Sequence, residues 1–211
     1  DGEVERVVGE VVARGRARKV PLLWWTGPST RPADLPQRLK AHGFMREGEA
    51  PGMAMALAAL EAPGPAPQGF VFQRVGDEAT LRACCHVMAQ GFGLPDFVEA
   101  AFFQLFLAAG LGPQAPLAHY IGFLDGAPVA ASSVLIAAGA AGVYNVATLK
   151  EARGKGVGAL MTALPLLEAR AQGCALAILH SSALGLSVYR RLGFREVCRI
   201  GQHQWSEPDA G

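Results

Sequence analysis

The chain has 211 residues, 51% hydrophobic and 18% charged, with 19 Lys+Arg against 18 Asp+Glu. A chain this long and apolar buries a core, and its net charge of +1 excludes a broad basic footprint for nucleic acid while leaving room for a local anion site. Cys84, Cys85, Cys174 and Cys198 are too few and too irregularly spaced for a disulfide framework or a zinc ribbon, so no metal site is expected and the thiols read as reduced and mostly buried. The start, Asp1-Gly2-Glu3, has neither a basic nor an apolar leader segment, and with reduced thiols it makes the cytoplasm the expected location.

In chain order, residues 4–18 read as a helix, Leu22-Leu23-Trp24-Trp25 as a strand and residues 34–41 as a second helix, followed by His42-Gly43-Phe44. The adjacent tryptophans are expected to pack on a sheet; the competing reading makes this piece a protein-contact module. Residues 63–69 lie in a Pro/Gly/Ala run without periodicity, a semi-rigid linker. The expected organisation is therefore a small N-terminal α/β segment (1–62), the linker (63–69) and a larger domain (70–206).

The larger domain opens with a strand at 70–75 and a helix at 78–92 capped by Asp77. A second helix begins after Pro95-Asp96, with Val98, Ala101, Phe102, Leu105, Phe106 and Ala109 as its apolar stripe and Gly110 and Gly112-Pro113 as its end. Strands at 117–124 and 127–137 flank Asp125-Gly126, a hairpin signal, and a third strand covers 142–148. Residues 156–172 turn helical, with Pro165 expected to kink them. A strand at 175–179, a helix at 184–192 ended by Gly193, and closing strand structure at 194–205 complete the order β-α-α-β-β-β-α-β-α-β. Residues 127–149 carry no charge and are long enough to span a bilayer, but their central small residues and polar Ser132, Ser133, Asn145 and Thr148 fit two buried strands better. The N-terminal helix–strand–helix–Gly-Phe order also repeats residues 156–194 about 150 residues earlier, a degenerate half-repeat.

The richest segment for chemistry is Arg153-Gly154-Lys155-Gly156-Val157-Gly158-Ala159, between a strand and a helix. Its glycines allow close backbone approach, and the helix start adds unpaired N–H groups with partial positive charge, so a phosphate or pyrophosphate is the expected guest. The dipole contributes only about 0.3–1 kcal/mol, so several amides must act together, with Arg153 and Lys155 adding charge. No Lys-Ser/Thr follows, as a P-loop requires, and no acidic strand end follows, as a dinucleotide fold requires.

Arg153-x-x-Gly156-x-Gly158 resembles the Arg/Gln-x-x-Gly-x-Gly/Ala signature of the GNAT superfamily of N-acetyltransferases, and Tyr189 with Gly193-Phe194 resembles the family's last helix and strand. The resemblance covers residues 70–205 and implies a GNAT-like mixed central sheet flanked by helices, with acetyl-CoA as cosubstrate. It implies that Val146, Ala147 and Thr148 end a splayed strand receiving the pantetheine and thioester, and that the amides of Gly154, Lys155, Gly156, Val157, Gly158 and Ala159 cradle the pyrophosphate beside Arg153. Tyr189 would serve as general acid toward the departing thiolate. Many members carry Asn seven residues before that tyrosine; here Ser182 stands there, a poorer pantetheine contact.

The acceptor implied is a small-molecule or peptide amine, with no nucleic acid or membrane partner and a homodimer as an allowed assembly. His119, His180 and Asp96 are the candidates for a base or relay, and Phe102, Phe103 and Phe106 for the acceptor wall. The competing class is a non-catalytic CoA-binding or sensing protein.

Overall fold

The computed structural model describes residues 2–112 and 115–207. In chain order the elements are α1 (Gly2–Arg18), β1 (Leu22–Thr26), α2 (Leu35–Ala41), β2 (Met45–Ala56), β3 (Phe70–Arg74), α3 (Glu78–Phe92), α4 (Asp96–Ala109) and β4 (Leu117–Leu124). They continue with β5 (Ala127–Ala137), β6 (Ala140–Thr148), α5 (Val157–Ala171), β7 (Leu176–His180), α6 (Leu186–Arg191) and β8 (Arg195–Trp205). From β3 onward this is the order expected from the sequence. The long strand β2 is not: Arg46-Glu47-Gly48-Glu49 and Pro51-Gly52 break its alternation, so only neighbouring strands reveal it.

The described residues form two compact units, one of residues 2–52, 181–183 and 196–207, the other of residues 53–112, 115–180 and 184–195. In the first, the strand order is β1-β8-β2, with β1 antiparallel to β8. Its core joins Val8 and Val12 of α1, Leu35 and Leu39 of α2, Phe44 and Trp205. The two adjacent tryptophans part here, as alternation along a strand requires. Trp24 packs edge-on against Phe44 at 6.1 Å, whereas Trp25 is 41% exposed.

The second unit holds the order β7-β6-β5-β4-β3, with the end of β2 beside β7. The β3–β4, β4–β5 and β5–β6 pairings are antiparallel and β6–β7 is parallel, so the sheet is mixed. The β4–β5 hairpin turns on Asp125 (φ 51°) and Gly126 (φ 81°), two consecutive left-handed residues whose twist matches that of the strands. Residues 127–149 form β5, β6 and their turn, and no helix among the described residues is long and apolar enough to cross a membrane.

One face of this sheet packs Met161, Ala163 and Leu166 of α5 on Tyr120, Val129 and Val143; the other packs Leu81, Cys84 and Met88 of α3 with Phe103 and Phe106 of α4 on Ile121 and Ala131. Each fully buried Leu or Met contributes about 1.5–3 kcal/mol. Asp77 caps α3 as expected, accepting from Thr80 N at 2.8 Å. The apolar stripe of α4 is rotated from the expected one: Phe103 and Phe106 are buried while Leu105 is 60% exposed. Almost every position in this helix is apolar, so its periodicity cannot select a face. The expected stop at Gly112-Pro113 falls partly outside the described residues; Gly110 caps the helix. Helix α5 runs unbroken from Val157 to Ala171 with Pro165 buried inside it.

Several helices, α3 among them (Gly93 N to Gln90 O at 3.2 Å, Leu94 N to Ala89 O at 2.9 Å), end on the same pair of backbone bonds. In α2, Gly43 N donates to Lys40 O and Phe44 N to Leu39 O, both at 3.0 Å; in α6, Gly193 N donates to Arg190 O (3.1 Å) and Phe194 N to Tyr189 O (3.0 Å). In α1 and α5 the same pattern joins Val20 N to Gly15 O and Cys174 N to Ala169 O, both at 3.1 Å, after left-handed Lys19 and Gly173.

Candidate active site

The candidate site is built in the second unit by the end of β6, the loop that follows it and α6. The β6–β7 ladder runs from Ala140↔Leu176 to Val143↔Leu179, yet β6 continues five residues further, to Thr148. Beyond Val143 the edge of β6 that faced β7 is therefore released. On its other side the register against β5 slips: Ala131 opposes Ala147 but Ser133 opposes Tyr144, leaving one residue on β5 against two on β6. Asn145 and Val146 thus form a β-bulge, with Asn145 in the left-handed region at φ 54°. Helix α3 comes close enough that a Cβ on Gly91 would lie 2.8 Å from Ala147 Cβ.

The bulge is tied to a buried polar chain. Asn145 Nδ2 donates to Ser133 Oγ (3.4 Å), which lies 2.8 Å from His119 Nδ1. His119 is 2% exposed, with Phe106 at 4.2 Å, and burial holds its pKa down at about 4. Its ring is therefore neutral at neutral pH, and its Nε2 is buried with no hydrogen-bond partner among the described residues. Of the three base candidates, only His119 enters this chain. His180 ends β7 with a pKa lowered by burial, while Asp96 opens α4 and lines a cavity of about 220 Å³ with Arg82 and Glu99. Asn145 escapes sequence reasoning, although an Asn in an apolar strand is a signal, because it tolerates positive φ.

After Thr148 the chain passes through a 3-10 turn, Lys150–Ala152, into the Gly-rich loop. Gly154 and Gly156 sit at φ 77° and 78°, and Gly156 is the N-cap of α5 with no side-chain cap. The amides of Gly154, Lys155, Gly156, Val157 and Gly158 make no hydrogen bond within the described residues, and the loop from Arg153 to Gly156 is exposed. Five free donors at a helix start have the chemistry to hold an anion. Ala159 differs: its N–H is already closed on Gly156 O at 3.1 Å. Arg153 also differs from expectation. Its Nε donates to Thr148 O (3.0 Å) and its guanidinium to Gly91 O (3.4 Å), so it braces the loop against β6 and the last turn of α3. Lys155 stays exposed on the loop.

Tyr189 lies in α6, 8% exposed, its ring edge-on to Phe194 at 6.0 Å and so close to Gly185 that a Cβ there would meet it at 2.7 Å. Its hydroxyl has no partner among the described residues and is not occluded. Burial pushes the phenol up to about 12. By that shift the phenol is a weaker acid that stays protonated at neutral pH and can donate a hydrogen bond. Cys84 and Cys85 themselves are buried, their thiols raised, and they are inert as nucleophiles. Ser182 is exposed and belongs to the other unit, where its carbonyl accepts from Ser181 Oγ at 2.8 Å. No group of His, Cys, Asp and Glu among the described residues could hold a metal ion.

A family model described as an acetyltransferase (GNAT) domain matches residues 116–196. No curated protein matches the sequence. Among solved structures, a GCN5-related N-acetyltransferase from Kribbella flavida is similar with TM-score 0.73 and 22% identity, over 99% of this chain and 77% of that one. A second, from Sphaerobacter thermophilus, has TM-score 0.68 and 18% identity over 94% of this chain and 65% of that one. An acetyltransferase with acetyl-CoA from Clostridium acetobutylicum has TM-score 0.52 and 17% identity over 61% of this chain and 91% of that one. Residues 116–196 thus match a GNAT acetyltransferase domain model, and the fold is similar to that of the GCN5-related N-acetyltransferases.

Proposed function

We propose that this chain moves an acetyl group from acetyl-CoA to a primary amine by direct attack, in the cytoplasm. The observation that carries the reading is the continuity of three features: the released edge of β6 beyond Val143, the bulge at Asn145-Val146, and the five free amides from Gly154 to Gly158. The free strand edge at Val146, Ala147 and Thr148 receives the pantetheine arm as an added strand would be received, while the loop amides hold the pyrophosphate. The similar Clostridium acetobutylicum protein, solved with acetyl-CoA, supports the choice of ligand.

The neutral amine attacks the thioester carbonyl, a backbone N–H of β6 steadies the developing oxyanion, and the C–S bond breaks as the leaving sulfur takes the Tyr189 proton. The surplus proton on the new amide nitrogen is lost to solvent, from which Tyr189 is reprotonated. With its raised pKa, Tyr189 stays protonated throughout the neutral range and acts as a hydrogen-bonding acid. Cys84 and Cys85, buried with raised thiols, are unsuited to form an acyl-enzyme. We read the first unit as a degenerate half-copy, in which Leu39 stands where α6 has Tyr189.

The test is acetyl-CoA binding by calorimetry together with single-turnover acetylation of an amine panel. Tyr189→Phe is expected to lower turnover at least tenfold while changing acetyl-CoA affinity less than threefold. Unchanged turnover removes the role of Tyr189. Tight acetyl-CoA binding with no transfer to any amine makes the chain a CoA-binding or sensing protein instead.

A further inference from the structure

A cavity of about 580 Å³ lies in the first unit, between α2, the start of β2 and His203 of β8. Its volume lies within the range of small-ligand sites. His203 is 3% exposed, and its Nε2 lies 3.0 Å from Thr26 Oγ1, 177 residues away in sequence. Thr26 pairs with Gly201 across the β1–β8 ladder, and a Cβ on Gly201 would fall 2.7 Å from Thr26 Oγ1 and 3.2 Å from His203 Nε2. The glycine leaves the space in which this bond forms, and the bond fixes the ring. The other ring nitrogen, Nδ1, has no partner among the described residues and is not an occluded atom, so the sliver of His203 that remains accessible includes Nδ1, and the residue lines the cavity.

The rest of the lining sorts by chemistry. Lys40 and Arg46 bring positive charge, Arg46 shared with Glu49, and Pro36, Phe44 and Met45 supply apolar surface. Met45 is 68% exposed, a large apolar side chain left on the rim. Exposed cations alone hold an anion weakly in water. A buried donor with a fixed direction adds what they lack, because its bond geometry is set before the ligand arrives.

We propose that this cavity is a second ligand site, for a small organic anion whose carboxylate or phosphate oxygens meet Lys40, Arg46 and His203 Nδ1 and whose apolar body lies on Pro36, Phe44 and Met45. The Thr26 hydroxyl donates to Nε2, leaving the proton on Nδ1, so a neutral imidazole makes the contact. Burial first, and Arg46 next, hold the ring neutral. The site uses no residue of the acetyl-transfer reading and stands or falls separately from it.

The test uses the full chain labelled with ¹⁵N-histidine and three probes: phenyl phosphate, benzoate and the uncharged benzyl alcohol. The expected result is a saturable shift of the His203 ring resonances with phenyl phosphate or benzoate, at least tenfold tighter than with benzyl alcohol. Lys40→Glu, an exposed change on α2, is expected to weaken that binding at least tenfold while leaving the rest of the spectrum in place. Thr26→Val is expected to weaken it as well, by freeing the ring. The proposal is overturned if no probe shifts His203, if benzyl alcohol binds as tightly as the anions, or if Lys40→Glu binds like the parent chain.

Discussion

Gly156→Ala isolates the loop geometry from everything else in the site. At φ 78° a Cβ meets nothing within 4 Å, so the substitution causes no clash and its cost is torsional. Holding an L-residue in the left-handed region costs about 1–2 kcal/mol. The alanine also narrows the unfolded ensemble by about 0.4–1 kcal/mol, so the net loss of folding stability is expected to be about 0.5–1.5 kcal/mol. Where the free loop escapes the strain by turning residue 156 to negative φ, its amides leave their positions, and ligand binding must restore them. The same 1–2 kcal/mol then reappears as an acetyl-CoA Kd weakened about 5- to 30-fold. Gly158→Ala is the internal control. That residue lies within α5 at ordinary φ, with its Cβ position 3.5 Å from Thr148 Oγ1, an ordinary contact. Alanine there gains up to about 1 kcal/mol of helix propensity. Urea unfolding and titration calorimetry with acetyl-CoA read both variants. Equal affinity for Gly156→Ala and the parent chain, or an equal loss in Gly158→Ala, would refute the idea that a left-handed residue 156 aims the amides.

Two further outcomes follow from the same site. His119 titrates at about 4 when folded against 6.5 unfolded, so the unfolded chain takes up a proton first as pH falls; the stability its neutral ring confers is intact above pH 6.5 and is lost on the way to pH 4, by about 3 kcal/mol. Urea unfolding between pH 4.5 and 7 should show a shallower dependence in His119→Gln, and an identical slope would refute the assignment. Arg153→Ala removes the bonds to Thr148 O and Gly91 O, and is expected to lower stability by about 1 kcal/mol, a modest value because the side chain is exposed. It should weaken acetyl-CoA binding three- to tenfold; at high salt that loss should persist, whereas a direct charge contact with phosphate would be screened away.

The sequence alone determined what depends on near neighbours. The Asp125-Gly126 hairpin, the Asp77 cap of α3 and the Gly-rich turn into α5 are each set within a few residues, where backbone sterics and local hydrogen bonds decide the outcome. The repeated helix ends at Gly43-Phe44 and Gly193-Phe194 are legible for the same reason. Only the tertiary structure decided the rest. Strand β2 exists through partners far along the chain, the bulge at Asn145 arises from a slip against β5, and the divergence of β6 from β7 ends a ladder that no local pattern marks. Arg153 turns toward carbonyls of β6 and α3 instead of the loop it was expected to charge, because a guanidinium finds its acceptors in space. His119 and His203 look alike as letters in a strand. Packing by Phe106 shuts the Nε2 of one away from solvent, and the gap above Gly201 lets Thr26 hold the ring of the other beside a cavity. Long-range burial and hydrogen bonding, which no short window of sequence encodes, gave these two residues different chemistry.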